Sequence, residues 1–247
     1  MGYPERANQI MELLWKTGSV PATRISELLQ VSLVTVRKDL QRMENEGLLQ
    51  RTHGGAVIRT AQRTPDARME AMEAIADAAA RQIRDGDCVI LNAGNTTLLT
   101  ARKLLGKKNI TVITNSIPIA RELVHRTQIK LIFLGGEVNA EAVFTYGWDA
   151  VAQLEQYKAN KLILSASGIS CSAGITTRHM EAADLLRKMI QRTKKVIVVA
   201  DDTKIGFESF YHVGDLDVVD MLLTNDTLQT RQELENIEAQ GITVKRC

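Results

Sequence analysis

Two stretches of the chain carry side chains that could bind anionic ligands. In the first, short polar and basic residues recur over residues 32–53. Lysine and arginine neutralise the phosphates of DNA, while short side chains near a helix start can reach base edges in the major groove. These residue types predict a DNA-binding surface that consists of Ser32, Val34, Thr35, Arg37, Lys38, Gln41, Arg42, Arg51 and His53.

The expected roles within this surface differ. The expected phosphate contacts are Arg37, Lys38, Arg42 and Arg51. Thr35 and Arg37 lie near the predicted helix start, where they could meet base edges, and Val34 could meet a thymine methyl group. The alternative is a merely solvated helix face, on which Asp39 pairs with Arg42 or Arg24.

The second stretch begins at Asn92, directly after an apolar run that predicts a buried strand. A strand that leads through glycine and hydroxyl-bearing residues into a helix exposes backbone N–H groups at the positive end of the helix dipole, which suits a phosphate. We therefore expect a ligand to bind Asn92, Gly94, Asn95, Thr96 and Thr97. The alternative is that Asn95 or Thr96 only caps the helix.

Three further groups follow predicted strands and could line the same site. They consist of Thr114, Asn115, Ser116, Gly135, Gly136 and Lys204. The first three end a strand and open a helix, so they could lie beside the crevice of an open α/β sheet or only cap that helix. The two glycines permit close backbone approach but also suit a tight turn. The lysine is the best candidate for a cation that meets a phosphate or sugar oxygen. The alternative is that it lies in a loop and is only solvated.

Residues 1–58 predict three helices and a β-hairpin, the elements of a winged helix-turn-helix domain. Apolar residues recur at helical spacing in three groups: Ile10, Leu13 and Leu14, then Ile25, Leu28 and Leu29, then Leu33, Val36, Leu40 and Met43. Ser32 is placed to cap the third helix. Gly54 and Gly55 suit a hairpin turn with positive φ, which puts Arg51 and His53 near DNA phosphates unless His53 only shapes the turn.

A polar linker over residues 59–66 precedes a larger predicted domain over residues 67–247. Its first helix, residues 67–84, either transmits ligand binding to the first domain or is simply the first helix packed on the sheet. Apolar runs then alternate with helical segments: Cys88–Leu91, Ile110–Thr114, Ile129–Leu134, Lys161–Ser165, Lys195–Ala200, Met221–Thr224 and Ile242–Lys245. This alternation predicts an α/β domain with a mainly parallel sheet that is covered on both faces.

The composition excludes several classes of protein. The chain has no apolar run of about 18 residues and no signal-peptide pattern, so we expect a cytoplasmic protein without membrane contact. Three cysteines without C-x-x-C spacing and four separated histidines predict free thiols and no metal site, and no cofactor is expected. Residues 1–60 hold eight lysines and arginines against six acids, while the rest is balanced at 23 of each, which favours a basic N-terminal module.

A series of short motifs runs through both predicted domains. The first domain has Val31-Ser32-x-x-Thr35-Val36-Arg37-Lys38-Asp39-Leu40, then Gly47, Arg51 and His53-Gly54-Gly55-Ala56. The second has Asp85-Gly86-Asp87, Asn92-Ala93-Gly94-Asn95-Thr96-Thr97, Thr114-Asn115-Ser116, Leu134-Gly135-Gly136, Gly174-Ile175-Thr176 and Ala200-Asp201-Asp202-Thr203-Lys204. Over essentially the whole chain, these motifs resemble the DeoR family of bacterial transcriptional repressors. The resemblance implies a second domain similar to ribose-5-phosphate isomerase, which senses a phosphorylated sugar or related metabolite.

The chain departs from that family pattern at three positions. Asn92 and Asn160 stand where the family usually has acids, and Asn95 stands where it has a hydroxyl. The amides suggest an effector with an altered hydroxyl pattern or charge. They also weaken an enzymatic reading, because sugar-phosphate isomerisation needs a carboxylate base. Other carboxylates that remain conceivable as the base are Glu137, Asp201, Asp202 and Glu208.

The expected function is a sequence-specific transcriptional repressor of carbohydrate genes that has no catalytic residues. Its expected partners are an operator in double-stranded DNA, a phosphorylated sugar or related effector, and further copies of itself in a dimer or tetramer. The effector would act by favouring one arrangement of the oligomer over another. The alternatives are a sugar-phosphate isomerase with an appended DNA-binding module, and an activator in place of a repressor.

Overall fold

The computed structural model describes residues 2–17, 19–45, 49–52, 54–58 and 65–247. The chain divides into two compact units, Met1–Thr64 and Pro65–Cys247. Most of the predicted linker, residues 59–64, lies outside the described residues, and residues 65 and 66 already belong to the first helix of the second unit.

The first unit contains three helices and a small sheet. The helices are α1 (Tyr3–Thr17), α2 (Ala22–Leu29) and α3 (Leu33–Asn45), and the strands are β1 (Ser19–Pro21), β2 (Leu49–Arg51) and β3 (Gly55–Ile58). The core contains Ile10, Leu14, Ile25, Val36, Leu40 and Met43. Leu33 belongs to the predicted apolar stripe but is 37% exposed, since it is the first residue of α3.

The small sheet of the first unit differs from the predicted hairpin. Its order is β1-β3-β2 with antiparallel pairing, and the sequence pattern does not predict β1 because three residues are too few to show alternation. Gly54 and Gly55 lack the expected positive φ. A Cβ at Gly55 would lie 2.2 Å from the carbonyl oxygen of Val20. The close approach of β1 therefore explains this glycine.

The second unit alternates strands and helices. Its helices are α4 (Pro65–Gln82), α5 (Asn95–Arg102), α6 (Ile117–Leu123), α7 (Trp148–Glu155), α8 (Met180–Gln191) and α9 (Arg231–Ala239). Its strands are β4 (Cys88–Leu91), β5 (Ile110–Thr114), β6 (Ile129–Phe133), β7 (Glu137–Asn139), β8 (Phe144–Tyr146), β9 (Lys161–Ser165), β10 (Gly168–Ser170), β11 (Gly174–Thr177), β12 (Val196–Val199), β13 (Tyr211–Gly214), β14 (Met221–Thr224) and β15 (Thr243–Arg246).

A seven-stranded parallel sheet in the order β15-β14-β12-β9-β4-β5-β6 forms the centre of this unit. All seven strands are the predicted ones, and their bounds agree to within one residue at either end. Both faces are covered: Ile90 and Leu162 pack into one apolar cluster, and Val89 and Ile163 pack into another. Burial on both faces explains why these strands read as continuous apolar runs.

The sequence pattern does not predict two smaller sheets of this unit. β7 and β8 form an antiparallel hairpin, and β10, β11 and β13 form a three-stranded antiparallel sheet. These strands of three or four residues are too short and too polar to be recognised in the sequence.

The three cysteines are free thiols. None of the helices in the described ranges combines the length and apolar character needed to cross a bilayer.

Candidate nucleic-acid interface and ligand cavity

The helix α3 starts at a well-defined turn. Gln30 ends α2 in the left-handed conformation, with φ of 52°, and the hydroxyl of Ser26 donates a hydrogen bond to the carbonyl of Val31 at 2.5 Å. The hydroxyl of Ser32 accepts a hydrogen bond from the backbone N–H of Thr35 at 3.1 Å, as expected of an N-cap. These local bonds fix the point at which α3 begins and satisfy one of its free N–H groups.

The outer face of α3 carries cations that are available to a ligand. Val34 is 63% exposed, and Arg37, Lys38 and Gln41 are exposed as well. Within the described ranges, no salt bridge engages Arg37 or Lys38. Both charges can therefore meet a phosphate without first breaking an internal ion pair.

The opposite side of α3 is held by α1. Asp39 is 6% exposed and accepts hydrogen bonds from Nε and Nη2 of Arg6 at 2.6 and 3.0 Å. The pairing of Asp39 with Arg24 or Arg42, which belonged to the alternative of a merely solvated helix face, is thus replaced by a longer-range one. Arg24 pairs within α2, and the guanidinium of Arg42 lies 3.9 Å from the centroid of the Tyr3 ring. Asp39 and Arg42 therefore also help to position α3.

β2 contributes Arg51 to the same surface. Its backbone N–H donates a hydrogen bond to the carboxylate of Glu44 at 2.8 Å, and its guanidinium donates one to the side-chain oxygen of Gln41. These contacts join the hairpin to α3, so Gln41 and Arg51 form one continuous polar surface. His53 lies outside the described residues.

A cavity of about 420 Å³ lies at the carboxyl edge of the parallel sheet. It opens where the chain turns from the β4-β5-β6 side of the sheet to the β9-β12 side, which is the switch point at which open α/β sheets bind ligands. Six predicted ligand residues line it: Asn92, Gly94, Asn95, Thr96, Asn115 and Lys204. Polar lining residues that the sequence analysis did not assign to the ligand include Arg68, Glu141, Ser165, Ser167, Arg178, His179 and Asp201.

The N-terminus of α5 borders this cavity without a side-chain cap. Gly94 is the N-cap residue, and Asn95 and Thr96 are the first two residues of the helix, so neither supplies the cap that the alternative reading expects. A Cβ at Gly94 would lie 2.5 Å from Cβ and Oγ of Ser165. Glycine therefore allows β9 to approach closely and leaves the first N–H groups of α5 beside the cavity.

Three cations line the cavity near one another. Burial lowers the pKa of Lys204; the carboxylate of Asp201 opposes this shift, and the positive charges of Arg68 and Arg178 add to it. Arg68 Nη2 lies 3.3 Å from Asp201 Oδ2. The lining thus holds more positive than negative charge on this side, and a bound anion would relieve the mutual repulsion of the cations.

Three predicted ligand residues outside the lining have backbone partners. The Thr97 hydroxyl donates hydrogen bonds to the carbonyls of Asn92 and Gly94 at 2.8 and 2.9 Å. Thr114 Oγ1 accepts a bond from the N–H of Ser116 at 3.1 Å. The Ser116 hydroxyl caps α6 by accepting the N–H of the third helical residue at 3.4 Å. These side chains stabilise the turns that carry the cavity, which is the alternative role that the sequence left open for Thr114 and Ser116.

The predicted glycine pair also lies outside the lining. Gly135 donates its N–H to the side-chain oxygen of Gln153 at 3.0 Å. Gly136 has a φ of 129°, and a Cβ there would lie 2.3 Å from the carbonyl oxygen of Tyr146. Both glycines therefore serve the packing of the β6–β7 turn. Asn115 does line the cavity; its Nδ2 donates a bond to the carbonyl of Thr145 at 2.8 Å, and its buried Oδ1 has no partner among the described residues.

The side-chain amides of Asn92 and Asn160 hold neighbouring segments of the sheet together. Asn92 donates from Nδ2 to the carbonyl of Ser165 and accepts the N–H of the same residue at Oδ1, both at 2.8 Å. Asn160 Oδ1 accepts the N–H of Cys88 at 2.7 Å, at the opposite edge of the sheet from the cavity. Asn160 therefore lies outside the cavity lining, whereas Asn92 lines the cavity and bonds β9 through both its amide nitrogen and its amide oxygen.

Asn92→Asp is expected to lower the free energy of unfolding by about 2 kcal/mol, because the carboxylate loses one donor and faces the carbonyl of Ser165 in a buried site. Asn160→Asp is the matched control, since it keeps the acceptor that Cys88 needs and should cost less than about 0.5 kcal/mol. Urea unfolding of both variants measures the difference. Equal losses would contradict the two-bond role of Asn92.

Signals for the missed residues were present but indirect. Arg178 and His179 follow the strand β11 and precede the amphipathic helix α8, a strand-to-helix arrangement like that of Asn92–Thr97. His179 also stacks edge-on against Phe144, with 5.5 Å between ring centroids. Arg68 gave no local signal because it comes from a helix that precedes the sheet.

No group of three or more potential metal ligands occurs within the described ranges.

Comparison with known proteins agrees with both units. The family model described as the DeoR-like helix-turn-helix domain matches residues 6–62, and the DeoR C-terminal sensor domain model matches residues 67–226. Among solved structures, the ribose 5-phosphate isomerase A of Methanocaldococcus jannaschii is 14% identical and has a TM-score of 0.42, covering 56% of this chain and 54% of its own.

Relatives of nearly equal length match this chain from end to end. The transcriptional repressor GlcR of Bacillus subtilis is 35% identical, covering 96% of this chain and 94% of its own. The regulator GlpR of Haloferax volcanii is 32% identical over 97% and 96%, and the repressor AccR of Agrobacterium fabrum is 34% identical over 92% and 91%. The chain therefore belongs to the DeoR family of helix-turn-helix transcriptional regulators.

Proposed function

We propose that the chain represses transcription by binding operator DNA through α3 and its hairpin, and that a phosphorylated sugar in the cavity regulates this binding. The observation that carries the proposal is the uncapped N-terminus of α5, which borders the same cavity as Arg68, Arg178 and Lys204. The names of GlcR and AccR as repressors support repression over activation. The DNA partner implies a cytoplasmic location.

The cavity chemistry favours a phosphate at one end of the ligand. Free N–H groups at a helix start and nearby guanidinium groups are strong donors to phosphate oxygens. The remaining lining offers acceptors for ligand hydroxyls, notably the carboxylates of Glu141 and Asp201. A phosphate joined to a chain or ring of hydroxyls matches this division of charge. The volume of about 420 Å³ lies within the range of small-molecule sites.

The proposed DNA contacts are the exposed residues of α3 and the hairpin. Arg37 and Lys38 neutralise phosphates, while Val34 and Thr35 at the start of the helix meet base edges. Operators with two half-sites suit a protein that binds as a homodimer or homotetramer. An effector alters operator affinity if it prefers one arrangement of such an oligomer.

Effector affinity is expected to fall as the pH rises through the lowered pKa of Lys204. A bound phosphate favours the charged ammonium and so raises this pKa, which means that binding takes up a proton and weakens when that proton is no longer available. Below about pH 6 the phosphate itself gains a proton, and affinity falls again. Calorimetry in two buffers of different ionisation enthalpy measures the proton uptake; proton release on the alkaline side would contradict the role of Lys204.

A thermal-shift screen tests the proposed effector class. Ribose 5-phosphate, fructose 6-phosphate and glucose 6-phosphate are compared with the corresponding free sugars and with inorganic phosphate. A ligand at 100 times its Kd stabilises the native state by about 2.7 kcal/mol. At least one sugar phosphate should raise Tm while its free sugar does not, and NMR should show no conversion of that ligand. Absence of any shift contradicts the proposed effector class, and turnover supports an isomerase instead.

A further inference from the structure

Arg68 lies at the point where the cavity meets the start of the second unit. It belongs to the first turn of α4, which begins at Pro65, directly after the residues that lead from the first unit in the chain. The other two cations of the lining, Arg178 and Lys204, come from connections that follow β11 and β12. Among these three, Arg68 alone sits on the element that continues from the linker.

Arg68 is held loosely at the cavity. Its side chain is 46% exposed, and its ion pair with Asp201 is a single contact between Nη2 and Oδ2 at 3.3 Å. An exposed single-point pair contributes little to stability. Since Asp201 is its one ion-pair partner within the described ranges, the remaining guanidinium donors can take a ligand oxygen.

Asp201 does not depend on Arg68 for its partners. Its Oδ1 accepts hydrogen bonds from the backbone N–H of Thr203 at 3.0 Å and from the hydroxyl of the same residue. The ammonium of Lys204 is close enough to interact with it as well. Arg68 can therefore leave Asp201 without stranding an unpaired buried carboxylate, which would be costly.

We propose that Arg68 exchanges Asp201 for the effector phosphate when the cavity is occupied, and that this exchange repositions the first turn of α4 and passes the signal to the linker. A phosphate offers two parallel charge-assisted hydrogen bonds to a guanidinium, which exceed the single contact to Asp201. A contact that differs between the empty and occupied states is what coupling requires. This inference rests on the proposed effector site and adds the residue that transmits its occupancy.

The test is Arg68→Gln in the full chain. The probes are ribose 5-phosphate, fructose 6-phosphate and glucose 6-phosphate, and the DNA is a duplex selected from a random library by the unmodified protein. At saturating ligand, operator affinity of the unmodified protein should change by about tenfold, within the usual range of coupling. In Arg68→Gln the change should fall below about twofold. Hydrogen exchange of the N–H groups of residues 67–70 should respond to ligand only in the unmodified protein.

Two matched variants separate transmission from binding. Lys204→Gln should need more ligand but retain the full change at saturation. Arg81→Gln alters the same residue type at the other end of α4. It should leave unchanged both the ligand concentration that is needed and the change in operator affinity at saturation. If Arg68→Gln keeps the full change at saturation, or if it loses operator binding without ligand, the inference is overturned while the effector site stands. If no probe alters the unmodified protein, the proposed function fails and the inference with it.

Discussion

Arg37→Glu is expected to lower operator affinity by about 100-fold, because it removes a phosphate contact and places a negative charge against the DNA backbone. The side chain is exposed on α3 and has no internal ion pair to lose within the described ranges, so the fold should tolerate the change. Fluorescence anisotropy with labelled operator measures the loss. Repeating the titration at several salt concentrations should show a slope smaller by about one unit.

Arg231→Glu is the matched control for net charge. Arg231 is an exposed arginine of α9 that pairs only loosely with Asp226, at 3.5 Å, so the same change of charge occurs far from α3 in sequence. Its effect on operator affinity should stay within about threefold, as expected of a distant surface charge. Equal losses in both variants would show that net charge alone matters and would refute the specific role of Arg37.

Lys204→Ala is expected to weaken effector binding by about 50-fold while operator affinity without effector stays unchanged. Lys204 lines the cavity together with Asp201, Arg68 and Arg178, and a hydrogen bond to a charged group contributes about 1.5–3 kcal/mol. Calorimetry with the sugar phosphate that gives the largest thermal shift measures the loss. The alkaline fall in affinity should disappear in the same variant.

Lys107→Ala is the control for this change. Lys107 lies in the connection after α5 and does not line the cavity. The effector affinity and the operator affinity of the variant should therefore match those of the unmodified protein. If Lys204→Ala instead reduces operator affinity in the absence of effector, Lys204 has a structural role in the second unit. The assignment of the cation to the ligand would then be wrong.

The central sheet could be predicted closely because burial on both faces leaves a clear mark in the sequence. A strand such as Ile110–Thr114 consists of β-branched residues and is flanked by polar ones, so its limits are visible without a structure. The turn that lines the cavity at Asn92–Thr96 was equally visible, since glycine and hydroxyl residues follow a buried strand. Features whose residues all lie within one strand or one turn can therefore be predicted from the sequence.

Features that depend on a distant partner were not predictable. Asp39 finds its partner in Arg6, and Asn92 finds both of its partners on β9, more than 70 residues away. Gly55 is glycine because β1 approaches it, and β1 itself is too short to recognise. Arg68 reaches the cavity from α4 through the packing of the fold. In each case the cause is a tertiary contact that local spacing does not encode.

The most direct test of the account is a linked titration of the unmodified protein with operator DNA and a sugar phosphate. Operator affinity measured with saturating sugar phosphate should differ by about tenfold from that measured with the free sugar. Effector affinity should change by the same factor when operator is bound, as thermodynamic linkage requires. If operator affinity is identical with and without every sugar phosphate that binds, the cavity does not control the DNA-binding helix, and the proposed regulation is wrong.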